Sequence, residues 1–281
     1  MKYKATTFGE VNKSPRLSII VVAYKTGKEL TDCLDSLENQ IDKNFELIVV
    51  DNGSKKRQII EKHNLKYYKL DRNYGPSYAR NLGAKEAAGE LLSFLDDDAV
   101  ADKYWTQNII KAFNNDEVVA IRGKVLLKSD PSIFNYIPGV YDLGDDTLDT
   151  ALMVEGNCAI RRKNFLNIKG FNVNLYGHEG VELSYRLKEF GQQLYIPSVI
   201  IYHDSGDNLA HLVKRSIRHG YNTAFIADKY PAINTYSNQF SEQFNMHRDP
   251  KAKSGTFINI IMSITFDIGL IYYRIHPVNY N

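Results

Sequence analysis

Four short apolar runs separated by helix and turn signals constrain this chain more than any other feature. Leu17-Ser18-Ile19-Ile20-Val21-Val22-Ala23 is nearly all apolar and rich in β-branched residues. That is the pattern of a strand buried on both faces. Phe45 to Val50 repeats it and closes on Asp51-Asn52-Gly53-Ser54, a strong turn signal. Leu65 to Leu70 and Leu91 to Leu95 are further strands, the last running into Asp96-Asp97-Asp98. Between them lie helical segments. Thr26 to Asn39 places Leu30, Leu34 and Leu37 on one face, and Ser54 to His63 reads as a second helix. Pro76 to Ala88 carries its proline in the first turn, where the missing N–H costs nothing. The alternation predicts an α/β fold with a mixed, mostly parallel sheet and right-handed crossovers. Ligands bind beyond the carboxyl ends of such strands. Asp51 and the aspartate triplet both fall there, so two acidic groups should converge on one crevice.

Beyond residue 117 the pattern changes. Val118 to Leu127 and Ala151 to Arg161 read as longer strands. Residues 131–149 form a loop rich in Gly, Asp and Pro, long enough to suggest function. Glu179 to Phe190 is a helix stopped by Gly191, and Leu194 to His203 is a last strand. Leu209 to Lys229 is a helix carrying Lys214, Arg215 and Arg218. Gly255 to Tyr273 is apolar with a narrow polar stripe, Asn259, Ser263 and Asp267. Polar residues interrupt a stretch near the minimum length for a membrane span. An in-plane amphipathic helix fits it better, and a helix packed on the domain or on a dimer partner is the alternative. The chain therefore divides into an N-terminal segment (1–14), an α/β domain (15–205) and a helical extension (206–281). The domain splits into a nucleotide-binding half (15–100) and an acceptor half (101–205).

With 43% hydrophobic residues in 281, a sizeable core can form, and a net charge of +2 is too mild to argue for a nucleic-acid partner. Cys33 and Cys158 stand far apart in no metal-ligand spacing, so neither a disulfide framework nor a zinc site is expected. A reducing, cytoplasmic setting follows, with peripheral contact at the inner membrane face through the extension as a further expectation. Residues 1–14 are polar, with no apolar core of a secretory signal.

Three adjacent carboxylates repel one another, and a hard divalent cation shared with substrate phosphates would compensate them. A solvated turn or helix cap would also accommodate them. The residues alone leave both readings open.

Context decides in favour of the first. Ile20-Val21-Val22-Ala23-Tyr24, Val49-Val50-Asp51-Asn52-Gly53-Ser54, Arg72-Asn73-Tyr74-Gly75-Pro76-Ser77-Tyr78-Ala79-Arg80-Asn81 and Phe94 to Asp98 occur in that order. Gly156-Asn157-Cys158-Ala159-Ile160-Arg161-Arg162 and His178-Glu179-Gly180-Val181-Glu182-Leu183-Ser184-Tyr185-Arg186-Leu187 follow. Together they resemble the inverting glycosyltransferases of family 2, which have the GT-A fold, over about residues 16–205. The resemblance implies a nucleotide-sugar donor, most often a UDP-sugar, and Mn²⁺ or Mg²⁺. It implies that Asp51 accepts a hydrogen bond from the base and that backbone near Ala23 and Tyr24 frames it. Asn73, Gly75 and Arg80 would line the nucleotide pocket, Asp96 would face the ribose, and Asp98 would ligate the metal. Asp97 would share either role, and His203 would be a further metal ligand. The acceptor would be a glycan or a lipid-linked saccharide of a bacterial surface polymer.

One position departs from the pattern. The family usually reads Glu-Asp where this chain has Glu179-Gly180, and that aspartate is commonly the base. Glu179 is then expected to be the catalytic base, with Glu182 in reserve. The same glycine admits a second reading, a nucleotide-binding or scaffold module impaired in catalysis. A nucleotidyltransferase is disfavoured, because Ala23-Tyr24-Lys25-Thr26-Gly27-Lys28 is not the Gly-rich basic loop such enzymes place after their first strand.

Overall fold

The structure, a computed structural model, describes residues 3–25, 27–55, 62–130, 140–152, 154–175, 177–204, 208–240 and 256–276. Its strands are β1 (Tyr3–Phe8), β2 (Leu17–Ala23), β3 (Phe45–Asp51), β4 (Leu65–Leu70), β5 (Leu91–Asp96), β6 (Val100–Ala101), β7 (Val118–Leu126), β8 (Leu148–Asp149), β9 (Asn157–Arg161) and β10 (Gln192–Tyr202). They form one sheet in the order β1-β4-β3-β2-β5-β9-β7-β10-β6, with β8 paired to β10. The run β4-β3-β2-β5 is parallel, as is β7 with β10, while β9 lies antiparallel between β5 and β7.

The continuous apolar runs become central strands because both faces are covered. Ile19 and Val21 of β2 point into one core with Leu30, Leu34 and Leu37 of helix α1 (Lys28–Glu38) and Trp105 and Ile109 of α3 (Trp105–Ala112). Ile20 of the same strand points the other way. There it joins Ala79 and Leu82 of α2 (Pro76–Glu86), Phe165 of α4 (Arg162–Asn167) and Leu183 and Leu187 of α5 (Glu179–Leu187). This is the period-2 alternation of a strand sandwiched between helix layers.

Several boundaries differ from the sequence reading. The N-terminal segment supplies an edge strand, β1, antiparallel to β4. The strand expected over Ala151 to Arg161 begins only at Asn157. Ala151 and Leu152 are buried by loop packing instead, with Leu152 N–H bonded to Ser184 Oγ (3.2 Å). The helix α5 stops at Leu187, short of Phe190. Residues 56–61 of the helix expected over 54–63, and 131–139 of the long loop, lie outside the described residues.

The extension holds α6 (Leu209–Lys229), α7 (Pro231–Asn238) and α8 (Thr256–Ile275). Ser216 Oγ donates to Met262 O (2.7 Å), and Tyr273 OH donates to Asp228 (2.8 Å), so α6 and α8 run parallel. Gly220 and Gly269 allow that contact, since a Cβ on either would strike the backbone carbonyl of the facing helix. The other face of α8 exposes Ile260, Ile264, Ile268, Ile271 and Ile275. Ser263 and Asp267 are exposed as well, and the Asn259 side chain lies outside the described ones. No described helix is long and apolar enough to cross a membrane.

Candidate active site

The parallel strands deliver their last residues to one edge of the sheet. Ala23 pairs with Asp51 across β2 and β3, and Val22 pairs with Asp96 across β2 and β5. The antiparallel β6–β10 pair, with His203 N–H bonded to Leu126 O (2.8 Å), brings His203 to the same edge. Its Nε2 stands 3.0 Å from Asp98 Oδ1. Burial works to raise the Asp98 pKa, but the His203 hydrogen bond and charge outweigh it and hold it below the ordinary value. Burial likewise opposes the His203 charge, and Asp98 and Asp96 more than offset it, so the imidazole pKa is raised.

The other two aspartates have different partners. Asp97 Oδ2 accepts from the Tyr24 N–H (3.2 Å), which ties the triplet to the end of β2. Asp96 Oδ1 accepts from Arg80 Nη2 (3.1 Å) and remains partly exposed. Its carboxylate lies over Gly156, where a Cβ would collide with it. Asn73 Oδ1 accepts from Gly75 N–H (2.8 Å) and Asn52 Nδ2 (3.1 Å), fixing the turn that opens α2. Gly75 has a φ of 87° and open space where a side chain would be.

Asp51 is enclosed more fully than the other strand-end aspartates. It reaches the strand end, but its side chain is turned inward and is 0% exposed. Oδ1 accepts from Ser54 N–H (2.8 Å) and Oδ2 from Tyr67 OH (2.6 Å), with Lys69 Nζ at 3.6 Å. Ala23 is also buried, and its carbonyl accepts from Asn52 N–H (2.8 Å).

Behind Asp96 the edge opens into a cavity of about 450 Å³ lined by Arg80, Tyr141, Glu155, His178, Glu179 and Arg218, among others. Burial would lower the Arg80 pKa, but Asp96, Glu155 and Glu179 outweigh it, so the guanidinium stays charged. Glu179 begins α5 and is 6% exposed. Glu182 faces elsewhere: its carboxylate pairs with Arg186 (2.5 and 2.8 Å), which also donates to Ile168 O and Gly170 O. That is a brace between α5 and the turn after α4, so the reserve role suggested for Glu182 finds no support in its placement.

The sequence reading missed Glu155 and the contributions of Arg218 and His219 from α6. Glu155 stands one residue before the motif that begins at Gly156, and α6 lies beyond the stretch that carries the resemblance. Burial, then the Glu179 charge, pushes the Glu155 carboxyl up to about 7, against the pull of Arg80.

Asp98 and His203 offer an oxygen and an imidazole nitrogen close together beside Asp96, a donor set that suits Mn²⁺. Another group, Asp35, Glu38 and His63, brings three ligand atoms within 4.8 Å of one another. It lies at the end of α1 and before β4, at the opposite end of the parallel strands. Its acidic members already pair with His63 and Lys62.

The chain is 40% identical over 85 residues to an uncharacterized glycosyltransferase of Haemophilus influenzae, covering 29% of each chain. It is 31% identical over 108 residues to the teichoic acid poly(glycerol phosphate) polymerase of Staphylococcus epidermidis, covering 36% of this chain and 15% of that one. It thus spans less than a third of either relative. The fold is similar to that of Staphylococcus aureus TarS 1–349, with a TM-score of 0.57, 18% identity and coverage of 95% and 93%. It is also similar to a mannosyltransferase of Pyrobaculum calidifontis in complex with GDP-Man and Mn²⁺ (TM-score 0.60, 14% identity, coverage 99% and 80%). The profile described as glycosyl transferase family 2 matches residues 18–167, more than half of the chain and the part that carries Asp51, Arg80 and the aspartate triplet. The strand-end aspartates, the GT-A-like sheet and that match agree: the chain belongs to glycosyl transferase family 2.

Proposed function

We propose that this chain transfers a sugar, with inversion, from a UDP-sugar to a hydroxyl of a glycan or lipid-linked saccharide in the assembly of a bacterial surface polymer. The observation that carries the reading is the Asp98–His203 pair at 3.0 Å, on the sheet edge where Arg80 holds Asp96. Asp98 and His203 would hold Mn²⁺ or Mg²⁺, which neutralises a departing diphosphate when bound. Asp96, fixed by Arg80, faces the donor ribose, and Asp97 holds the β2 end that frames the base. The turn of Asn73 and Gly75 lines the nucleotide, with free room above Gly75. In the mechanism an acceptor hydroxyl in the cavity loses its proton to a carboxylate and attacks the anomeric carbon from the side opposite the diphosphate.

A lipid-linked acceptor is supported by the extension. A groove of about 340 Å³ runs along α6 and is lined by Lys214, Ile217, Arg218, Tyr221, Phe225 and Tyr272, among others. Arg218 belongs to this groove and to the catalytic cavity alike. The isoleucine face of α8 and the basic residues of α6 together suit an anionic membrane surface.

The test is release of UDP from a panel of UDP-sugars with Mn²⁺. Turnover by the native protein and its loss in Asp98→Ala support the reading. Undiminished turnover in that variant removes the metal assignment. Gly180 motivates the competing reading of a nucleotide-binding module, which predicts that UDP binds by calorimetry while no UDP-sugar is ever turned over.

A further inference from the structure

A carboxylate fills the space that a side chain at position 180 would need. Glu155 Oε1 accepts a hydrogen bond from the Gly180 N–H at 2.5 Å. A Cβ on Gly180 would stand 2.7 Å from that oxygen and would also strike the Leu152 carbonyl. Glycine at 180 and glutamate at 155 are therefore matched: the first turn of α5 gives up a side chain, and the loop before β9 supplies a carboxylate in its place. The backbone N–H aims this carboxylate, because a charge-assisted hydrogen bond has a preferred direction. Both carboxylates line the cavity, but Glu155 is the more exposed of the two, half-buried where Glu179 is 6% exposed.

We propose that Glu155 is the catalytic base of this enzyme, with Glu179 as a positioning residue behind it. This rests on the glycosyl-transfer reading given above. In the step, the acceptor O–H proton passes to the Glu155 carboxylate while the acceptor oxygen bonds to the anomeric carbon. The bond from that carbon to the diphosphate oxygen breaks, and its electron pair leaves on the diphosphate. Arg80 stands between the two events, bonded to Asp96 on the donor side and close enough to feel Glu155 and Glu179 on the other.

The electrostatics agree with the geometry. Burial and the Glu179 charge bring the Glu155 carboxyl to about 7, where a base is both deprotonated and strong enough to be useful near neutral pH. The titratable neighbours whose values are displaced move away from that region. Burial and the adjacent His178 hold His219 down at about 4, and burial lowers His178. Burial pushes up Tyr141 and Cys158, and Arg80 remains a cation. Arg218 enters from α6 and Asp96 stands beyond Arg80.

The test uses the full chain with Mn²⁺ and the UDP-sugar it hydrolyses best, water serving as acceptor. Glu155→Gln keeps an acceptor for the Gly180 N–H, so the fold and the calorimetric affinity for UDP should be retained. Its rate of UDP release should fall by about a hundredfold to ten-thousandfold, and the fall in rate on the acid side of pH 7 should vanish from what remains. Glu155→Asp, with a shorter reach, should lie between. Glu179→Gln should keep more activity than Glu155→Gln and move the acid limb to lower pH, because a neighbouring negative charge is gone. A Glu155→Gln protein at the native rate, beside a dead Glu179→Gln, overturns the proposal and makes Glu179 the base. A native chain that binds UDP yet releases none from any UDP-sugar overturns the glycosyl-transfer reading itself, and the base with it.

Discussion

Ala23, Asp51 and Asp96 reach the functional edge as the last residues of parallel strands in register, within one stretch of chain. The cavity behind them is assembled from farther afield: Arg80 from α2, Tyr141 and Glu155 from loops, Glu179 from the start of α5 and Arg218 from the extension. The edge is fixed by backbone ladders, so its geometry follows from strand identity. The cavity depends on how helices and loops pack, so its chemistry can change by exchange of residues that are remote in sequence. Gly180 and Glu155 meet in this way, a loop carboxylate bonded to the first turn of a helix at the cavity wall.

Arg80 joins the two regions, so its removal is the strongest way to break the distinction between them. Its guanidinium bonds Asp96 and lies 5.7 Å from the centre of the Phe171 ring, while its charge favours ionised Glu155. Arg80→Met should therefore lower turnover by about a hundredfold or more, the scale of losing one preorganised charge. It should also shift the acid limb of the pH–rate profile to higher pH, since the Glu155 carboxyl loses its cationic neighbour. If only the apparent affinity for the donor changes, Arg80 belongs to the edge alone.

The edge was far more legible in the sequence than the cavity. Continuous apolar runs with β-branched residues have few alternatives to a doubly covered strand, and β2, β3, β4 and β5 fall within a residue of expectation. The edge strand β1 escaped because Tyr3-Lys4-Ala5-Thr6-Thr7-Phe8 is largely exposed and carries no apolar run. Ala151 and Leu152 imitate a strand because a buried loop needs apolar residues as much as a ladder does. Asp51 was placed correctly along the chain, but the inward turn of its side chain depends on Tyr67, a strand away. Glu155 could not be found from spacing. Its contact with Gly180 exists only once α5 has packed against the 152–155 loop.

A smaller effect would sharpen the contrast through stability. The Glu155 carboxyl has an ordinary value of 4.5 and is pushed up to about 7 in the folded chain. Between those two values the folded state binds more protons than the unfolded one, so stability falls as pH rises through the window. Below about 4.5 the group costs nothing, and above about 7 the cost is complete. Glu155→Gln removes this slope. In metal-free buffer the variant should gain roughly 2 kcal/mol relative to the native chain between pH 4.5 and pH 8, after allowance for its partial exposure. Denaturant melts at both pH values measure it. Parallel native and variant curves would place Glu155 in ordinary solvent and weaken its fitness as a base.

The smallest expected effect concerns the exposed face of α8. Ile264 and Ile268 project from α8 away from α6 and are 55% and 46% exposed, so charging them leaves the helix pairing through Gly220 and Gly269 in place. If this face and the Lys214–Arg218 groove meet an anionic membrane, the native chain should co-sediment with phosphatidylglycerol vesicles. Ile264→Asp should weaken that binding several-fold, since it both removes buried apolar area and adds a repelled charge. Hydrolysis of the donor in the absence of vesicles should stay within about twofold, because surface changes away from a site rarely cost more than about 0.5 kcal/mol. Equal pelleting of the two proteins would separate α8 from any membrane role. A native chain that sediments as a dimer, with the variant a monomer, would assign the isoleucine face to a second copy instead.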